Sequence, residues 1–267
     1  MPEKIGLIAG NRKFPLIFAQ AARKNGYSVI AVAVKGDTSR ALNNLVDKIH
    51  WLSLSEYSKI FSIFKNEGVK KIVMAGQISP VRLFSGEIQR DPQLKELLSR
   101  IKDQRADTIF GAIVNKFNQE GFEFLDSTTF VEGYLPKKGA LTQEPPAGIR
   151  EDIDFGFALA KQIGGLDIGQ TVAIKNKAIV AVEALEGTDN LIRRAGSISR
   201  GGFTLVKTAK PDQDMRFDIP VIGLNTVKNL IRAKAACLAF EAGKTLFIDQ
   251  AAATNLAKKK GLSIVAV

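Results

Sequence analysis

Two stretches of the chain concentrate the residue types that do phosphate chemistry. The first, Glu186-Gly187-Thr188-Asp189, follows an apolar run over residues 178–185 and leads into the helix-like residues 190–194. With Thr188 as the N-cap of a helix beginning at Asp189, the backbone N–H groups of residues 189–191 face outward, and Gly187 lets an anion come close. Glu186 and Asp189 repel that anion unless a divalent cation lies between them, which is the logic of magnesium-assisted phosphate chemistry. A helix with a threonine cap and an acidic first turn satisfies the same residues, so this stretch alone leaves both readings open.

The second stretch alternates Lys207, Lys210 and Arg216 with Asp212, Asp214 and Asp218, and Pro211 and Pro220 stiffen it. Cations neutralise non-bridging phosphate oxygens while carboxylates hold a metal or position a water, so interleaved charges of this kind suit a pyrophosphate site. The competing reading is a solvated loop of mixed charge. Absences narrow the chemistry further. His50 is the only histidine, which excludes two-metal phosphoesterases built on several histidines and any Ser-His-Asp system away from residue 50. No G-x-x-x-x-G-K-[ST] run is present. A hydrolase made from this chain must therefore use carboxylates, with magnesium as the expected cofactor.

These residues need a scaffold. Residues 4–10 read as a short buried strand stopping at Gly10, residues 14–25 as a helix closed by Gly26, and residues 28–34 as an apolar strand. A shorter strand over 48–52, a helix over 56–67 closed by Gly68, and a strand over 70–76 follow. Strands alternating with helices predict a parallel sheet covered on both faces, which binds ligands at the carboxyl ends of its strands. Two of those ends carry glycine followed by an amide, Gly10-Asn11 and Gly76-Gln77, where a ligand can approach the backbone and an amide can bond a sugar or base. Ordinary turn chemistry accounts for them equally well. A dinucleotide fold would place G-x-G-x-x-G after the first strand, and none stands there.

Residues 82–105 read as mixed and partly helical, 108–120 as a helix, and 122–125 as a strand. Residues 135–148 then hold three of the nine prolines, so the domain boundary is expected there. Beyond it, residues 151–163 predict an amphipathic helix with acids in its first turn and Gly164-Gly165 at its end. A hairpin is expected over 171–185, turning at Asn176-Lys177. Strands over 202–207 and 221–224, a helix over 226–235, apolar runs at 236–240 and 245–248, a helix over 250–259 and a strand over 262–266 complete the chain. The fold class is thus α/β in two domains: residues 1–134 with a Rossmann-like, mostly parallel sheet, a linker over 135–148, and residues 149–267 as a catalytic α/β domain with a mixed sheet.

With 267 residues and 45% apolar composition the chain is globular, and 38 Lys and Arg against 27 Asp and Glu leave it at +11. That charge attracts a polyanion, an anionic membrane surface or a phosphorylated small molecule. The one cysteine, Cys237, lies among apolar neighbours and reads as a small buried hydrophobe in a reducing compartment. No apolar run is long enough to span a bilayer, so a cytoplasmic protein that at most touches the inner membrane is expected.

Taken together, residues 6–10, 73–77, 166–170 (Leu166-Asp167-Ile168-Gly169-Gln170), 182–189 and 207–220 resemble the LpxI family of UDP-2,3-diacylglucosamine pyrophosphatases, in order along nearly the whole chain. The resemblance implies a magnesium-dependent hydrolase that splits UDP-2,3-diacylglucosamine into UMP and 2,3-diacylglucosamine 1-phosphate in lipid A synthesis. It also implies two α/β domains with the acylated substrate between them, a homodimer, and water delivered to the sugar-side phosphorus. The family's required aspartate, in Arg-x-Asp-x-Pro, maps to Asp218. Local chemistry adds Asp189 and Asp214 as assisting carboxylates, with Asp218 and Asp189 as metal ligands. Gly10, Asn11, Gly76, Gln77, Gln170, Glu186, Gly187, Thr188, Lys207 and Lys210 complete the expected substrate contacts. Residues 78–82 receive no role.

Two other classes compete. A basic nucleic-acid-binding protein draws on the same +11, but 16 of the aromatics are phenylalanines set mostly in apolar runs rather than on a stacking surface. A non-catalytic regulator would bind UDP-sugars and release no UMP.

Overall fold

The computed structural model describes residues 2–78, 86–87, 90–103 and 105–267, so most of residues 78–82 lie outside it. The chain forms two compact units, Met1–Glu132 with Asp214–Asp218, and Gly133–Gln213 with Ile219–Val267.

In the first unit, β1 (Lys4–Ala9), β2 (Ser28–Val34), β3 (Lys48–Leu52), β4 (Lys71–Ala75) and β5 (Glu123–Phe124) form one parallel sheet in the order β3-β2-β1-β4-β5. The run Val29–Val34 is buried throughout, as expected of a parallel strand covered on both faces. Helix α1 (Phe14–Lys24) starts with Pro15 in its first turn, where proline's missing N–H costs nothing, and α2 (Lys59–Glu67) ends on Gly68 at φ 72°. Helices α3 (Pro92–Ser99) and α4 (Ala106–Gln119) follow. An aromatic cluster fills the space between them and the sheet: Phe117 lies 4.4 Å from Phe61 and 5.2 Å from Phe124, ring centre to ring centre.

The second unit contains α5 (Ala147–Gly165) and a six-stranded sheet made of β6 (Gly139–Ala140), β7 (Thr171–Lys175), β8 (Ala178–Val182), β9 (Thr204–Lys207), β11 (Cys237–Phe240) and β13 (Ser263–Ala266). Its order is β6-β13-β11-β9-β7-β8; the central β13, β11 and β9 run parallel, while β6, β7 and β8 join antiparallel. Strands β10 (Val221–Gly223) and β12 (Leu246–Ile248) pair separately, and α6 (Thr188–Ser199), α7 (Leu224–Arg232) and α8 (Gln250–Lys260) complete the unit. The sheet is mixed, as expected, and part of the expected linker is itself strand β6.

Three local expectations change. Helix α5 begins at Ala147 after Pro146 and runs through Gly164 and Gly165, so its first turn carries no acid. Asp152 instead sits in the second turn, buried, and accepts the N–H groups of Asn176 at 3.0 Å and Lys177 at 2.6 Å. Those two residues have φ of 51° and 59°, a left-handed pair that closes a two-residue hairpin, and Asp152 satisfies the donors the turn leaves over. Strand β8 stops at Val182 rather than Leu185, and the expected helix over 56–67 is a 3₁₀ turn, Leu54–Glu56, followed by α2.

Cys237 is fully buried on β11, and burial pushes its thiol up to about 12. The thiolate is the reactive form. The native protein at pH 8 should therefore leave Cys237 unmodified by iodoacetamide over hours, whereas protein in guanidinium should take up one label. Rapid labelling of the native chain, read by intact mass, would contradict this burial.

Candidate active site

Within the first unit the strand order reverses between β1 and β4, and ligands of such sheets bind outside the carboxyl ends of the strands at that point. The two glycine–amide pairs lie there. Gly10 donates its N–H to Ala75 O and Asn11 donates to Gln77 O, each at 2.8 Å, so the two strand exits are laced together by their backbones. The approach is too close for side chains: a Cβ on Gly10 would stand 2.6 Å from Gln77 O, and one on Gly76, at φ 85°, 2.5 Å from Asn11 O. Gly10 and Gly76 thus have a packing reason to be glycine. Among the described residues Asn11 keeps a buried side-chain oxygen without a hydrogen-bond partner, and Gln77 is exposed beside it.

Residues Asp214–Asp218 group with this unit, although the chain on either side belongs to the other. Ser127, just past β5, donates its N–H to Met215 O at 2.9 Å, and its Oγ lies 2.7 Å from Met74 O and 2.9 Å from Arg216 O. Phe217 stacks on Phe110 with ring centres 5.8 Å apart. Asp214 is held bidentately by Arg216, Nε to Oδ1 at 2.9 Å and Nη2 to Oδ2 at 2.6 Å. The hydrogen bond from that guanidinium holds the Asp214 carboxyl below its usual range. Asp218 donates its N–H to Asp214 O at 3.0 Å, which closes the turn. Asp214 and Asp218 are therefore brought together on one short turn, at the carboxyl side of β4 and β5.

In the second unit the structure gathers a different set. Lys207, 4% exposed at the end of β9, donates to Thr171 Oγ1 at 3.2 Å and Thr188 Oγ1 at 3.1 Å, with Glu183 Oε2 at 3.9 Å. Thr188 is not the cap. Gly187, with φ 79° and ψ 163°, occupies the N-cap position of α6, and Thr188 is the first helical residue, its hydroxyl donating to Glu183 Oε1 at 2.7 Å. Gly187 takes up the non-helical backbone that a threonine cap would otherwise supply. Asp189 accepts from the Asn229 side chain at 2.8 Å and from Asn225 at 3.5 Å, which ties α6 to α7. Glu186 pairs with Arg194 at 2.6 Å on the surface, and Lys210 pairs with Asp167 at 2.5 Å. Gln170 offers its carbonyl to Thr208 N–H at 3.0 Å, and its buried side-chain oxygen has no hydrogen-bond partner among the described residues.

Several of the expected site residues thus fall into three local groups, while Gln170, Glu186, Asp189 and Lys210 engage other partners in the second unit. Gly10, Asn11, Gly76 and Gln77 stand together; Asp214 and Asp218 stand together on the same unit; Gly187, Thr188 and Lys207 stand together in the second unit with Glu183. Asp212 is exposed. Sequence reasoning gave no role to Glu183, Asp167 and Ser127; Asp167 and Ser127 have partners 43 and 89 residues away, whereas Glu183 accepts from Thr188 five residues on. Among the described residues no group of three or more His, Cys, Asp or Glu side chains converges as a ready-made metal site. A magnesium ion that arrives on a pyrophosphate needs only one or two carboxylates, so these acids fit that mode of binding and not an all-protein cage.

Removing the ammonium of Lys207 would strand the buried carboxylate of Glu183. Lys207→Met should lower the unfolding free energy of the second unit by about 3–5 kcal/mol, and adding Glu183→Gln should recover most of it. Denaturant titration measures both; a loss below about 1 kcal/mol would show that the two charges are not coupled.

Comparisons with known proteins bear on the chain as a whole. A 12% identical solved structure, glycinamide-RNase-transformylase T from Mycobacterium tuberculosis, covers 68% of this chain and 44% of that one at a TM-score of 0.24. N5-carboxyaminoimidazole ribonucleotide synthetase from Thermotoga maritima gives 15%, 70%, 43% and 0.25, so the chain spans under half of both and neither supports an argument. The sequence comparisons do. The chain is 30% identical over 275 residues to the UDP-2,3-diacylglucosamine pyrophosphatase LpxI of Caulobacter vibrioides, covering 99% of this chain and 97% of that protein. The LpxI N-terminal domain matches residues 4–134 and the LpxI C-terminal domain residues 137–265, and on that footing the chain belongs to the LpxI family.

Proposed function

We propose that this protein is a hydrolase that adds water across the pyrophosphate of UDP-2,3-diacylglucosamine, releasing UMP and 2,3-diacylglucosamine 1-phosphate. The observation that carries the reading is the end-to-end match to the pyrophosphatase of Caulobacter vibrioides, which spans both domains. The geometry supports it. Asp218 is held on the carboxyl side of the first sheet, the side on which Asn11 and Gln77 stand and on which sheets of this order receive ligands.

Asp218 is the carboxylate assigned to chemistry. Its neighbour Asp214 is already bonded bidentately to Arg216, which makes Asp214 and Arg216 a brace for the turn. Asp218 then orients the attacking water or takes its proton, as the water bonds to the sugar-side phosphorus and the UMP oxygen leaves. Magnesium, when bound with the substrate, neutralises charge on the pyrophosphate oxygens. Asn11 and Gln77 supply amides for the nucleoside end. In the second unit the Lys207–Glu183–Thr188 cluster sets the start of α6, where Gly187 leaves the backbone open.

The surroundings of the reaction follow from charge and composition. Among the described residues no helix is long and apolar enough to cross a membrane. A net charge of +11 draws the protein to an anionic bilayer, where a doubly acylated substrate resides, so we read it as working peripherally at the cytoplasmic face of the inner membrane. We read it as a homodimer on the family resemblance, with no nucleic-acid partner.

Purified protein incubated with UDP-2,3-diacylglucosamine and magnesium should release UMP, and EDTA should stop the release. Asp218→Asn should lower kcat on the order of 10²–10⁴-fold while the thermal midpoint stays within a few degrees. Undiminished turnover in that variant would remove Asp218 from the mechanism, and full turnover in EDTA would remove magnesium.

A further inference from the structure

We infer that Ser127 is a positioning residue for Asp218, and that it sets the geometry of the reacting carboxylate without touching it. The inference rests on the assignment of Asp218 to pyrophosphate hydrolysis. Asp218 lies on a turn that arrives from the far side of the chain and has no strand ladder of its own to hold it: strand β10 begins only at Val221. Among the described residues, several contacts with the rest of the first unit hold this turn. Ser127 is 1% exposed, and it grips the turn with both of its donors. The backbone N–H holds Met215 O at 2.9 Å, and Oγ reaches Arg216 O at 2.9 Å while bridging to Met74 O of β4 at 2.7 Å. The hydroxyl has a single proton, shared between two carbonyls, so one atom ties the turn to the rigid sheet.

The serine is itself held in place by its neighbours. Asp126 accepts the N–H of Thr128 at 2.7 Å, and its carbonyl accepts the Thr129 hydroxyl at 2.6 Å, which folds residues 126–129 into a self-bonded turn with Ser127 facing inward. On the other side, Phe217 against Phe110 and the Asp218 N–H on Asp214 O leave the residues from Arg216 to Asp218 little freedom. An alanine at 127 would leave the carbonyls of Met74 and Arg216 without their shared donor. The turn would keep the Met215 bond and the ring stack but lose its link to β4. A carboxylate displaced by a fraction of an ångström binds substrate as before and reacts more slowly, since positioning errors of about 1 Å cost on the order of 100-fold.

The test compares wild type, Ser127→Ala and Phe217→Leu, the last loosening the same turn from its other side. Ser127→Ala should reduce kcat for UMP release on the order of 10- to 100-fold with KM held within about twofold, a split that general destabilisation would not produce. Hydrogen exchange at the amides of residues 215–218 should accelerate in the same variant while amides of β1 and β4 stay protected. If Ser127→Ala does not fold, Ser127→Cys, which keeps a weaker donor in the same place, decides by the same two measurements. A kcat within about twofold of wild type, or a loss expressed in KM alone, overturns the role of Ser127 and leaves the hydrolase reading standing. Wild-type protein that releases no UMP overturns the hydrolase reading and the inference with it.

Discussion

A buried serine hydroxyl between two backbone carbonyls carries more of this architecture than its size suggests. Met74 belongs to a central strand of the first sheet, while Arg216 belongs to a turn that enters from the sequence of the second unit. Backbone carbonyls removed from water must find donors or cost free energy. The two carbonyls that meet at Ser127 find theirs in the same atom, so satisfying the sheet and placing the turn become one event. The aspartate that the family resemblance assigns to catalysis sits two residues beyond that point.

A second regularity is that the charged residues nearest the expected site are mostly engaged with each other. Arg216 takes Asp214, Lys210 takes Asp167, Arg194 takes Glu186, and Lys207 sits beside Glu183 with two threonine hydroxyls. Such pairs add little to stability when solvent reaches them, and buried ones roughly offset their own desolvation. Their effect here is to hold backbone: the start of α6, the turn at 214–218 and the loop after α5 each carry one.

The strands were the most legible part of the sequence. Parallel strands buried on both faces leave continuous apolar runs, so β1, β2 and β4 stood out, and the hairpin announced itself through Asn176-Lys177. Helix starts were less legible where two signals competed. The acids at 151–154 looked like a first turn, yet Pro146 starts the helix earlier and Asp152 is spent on the hairpin. Thr188 looked like a cap because its type favours one, but Gly187 beside it adopts a backbone conformation that threonine avoids. Of the candidate site, the pairing of Gly10-Asn11 with Gly76-Gln77 could be suspected from repetition. The bond between Ser127 and Arg216 spans 89 residues, and no local pattern encodes a contact of that range.

The division of the first unit into two pieces of sequence has a consequence for how the protein is made. Residues 2–132 leave the ribosome first, and they contain the parallel sheet and its aromatic core. The turn that Ser127 grips is not synthesised until residues 133–213 have followed, several seconds later at translation rates of about 5–20 residues per second. Through that interval Ser127 lacks the carbonyls of Met215 and Arg216, and the ring of Phe110 lacks Phe217. The nascent first unit therefore becomes whole only after much of the second has emerged, and Asp218 reaches its place as one of the last acts of assembly rather than as part of either half alone.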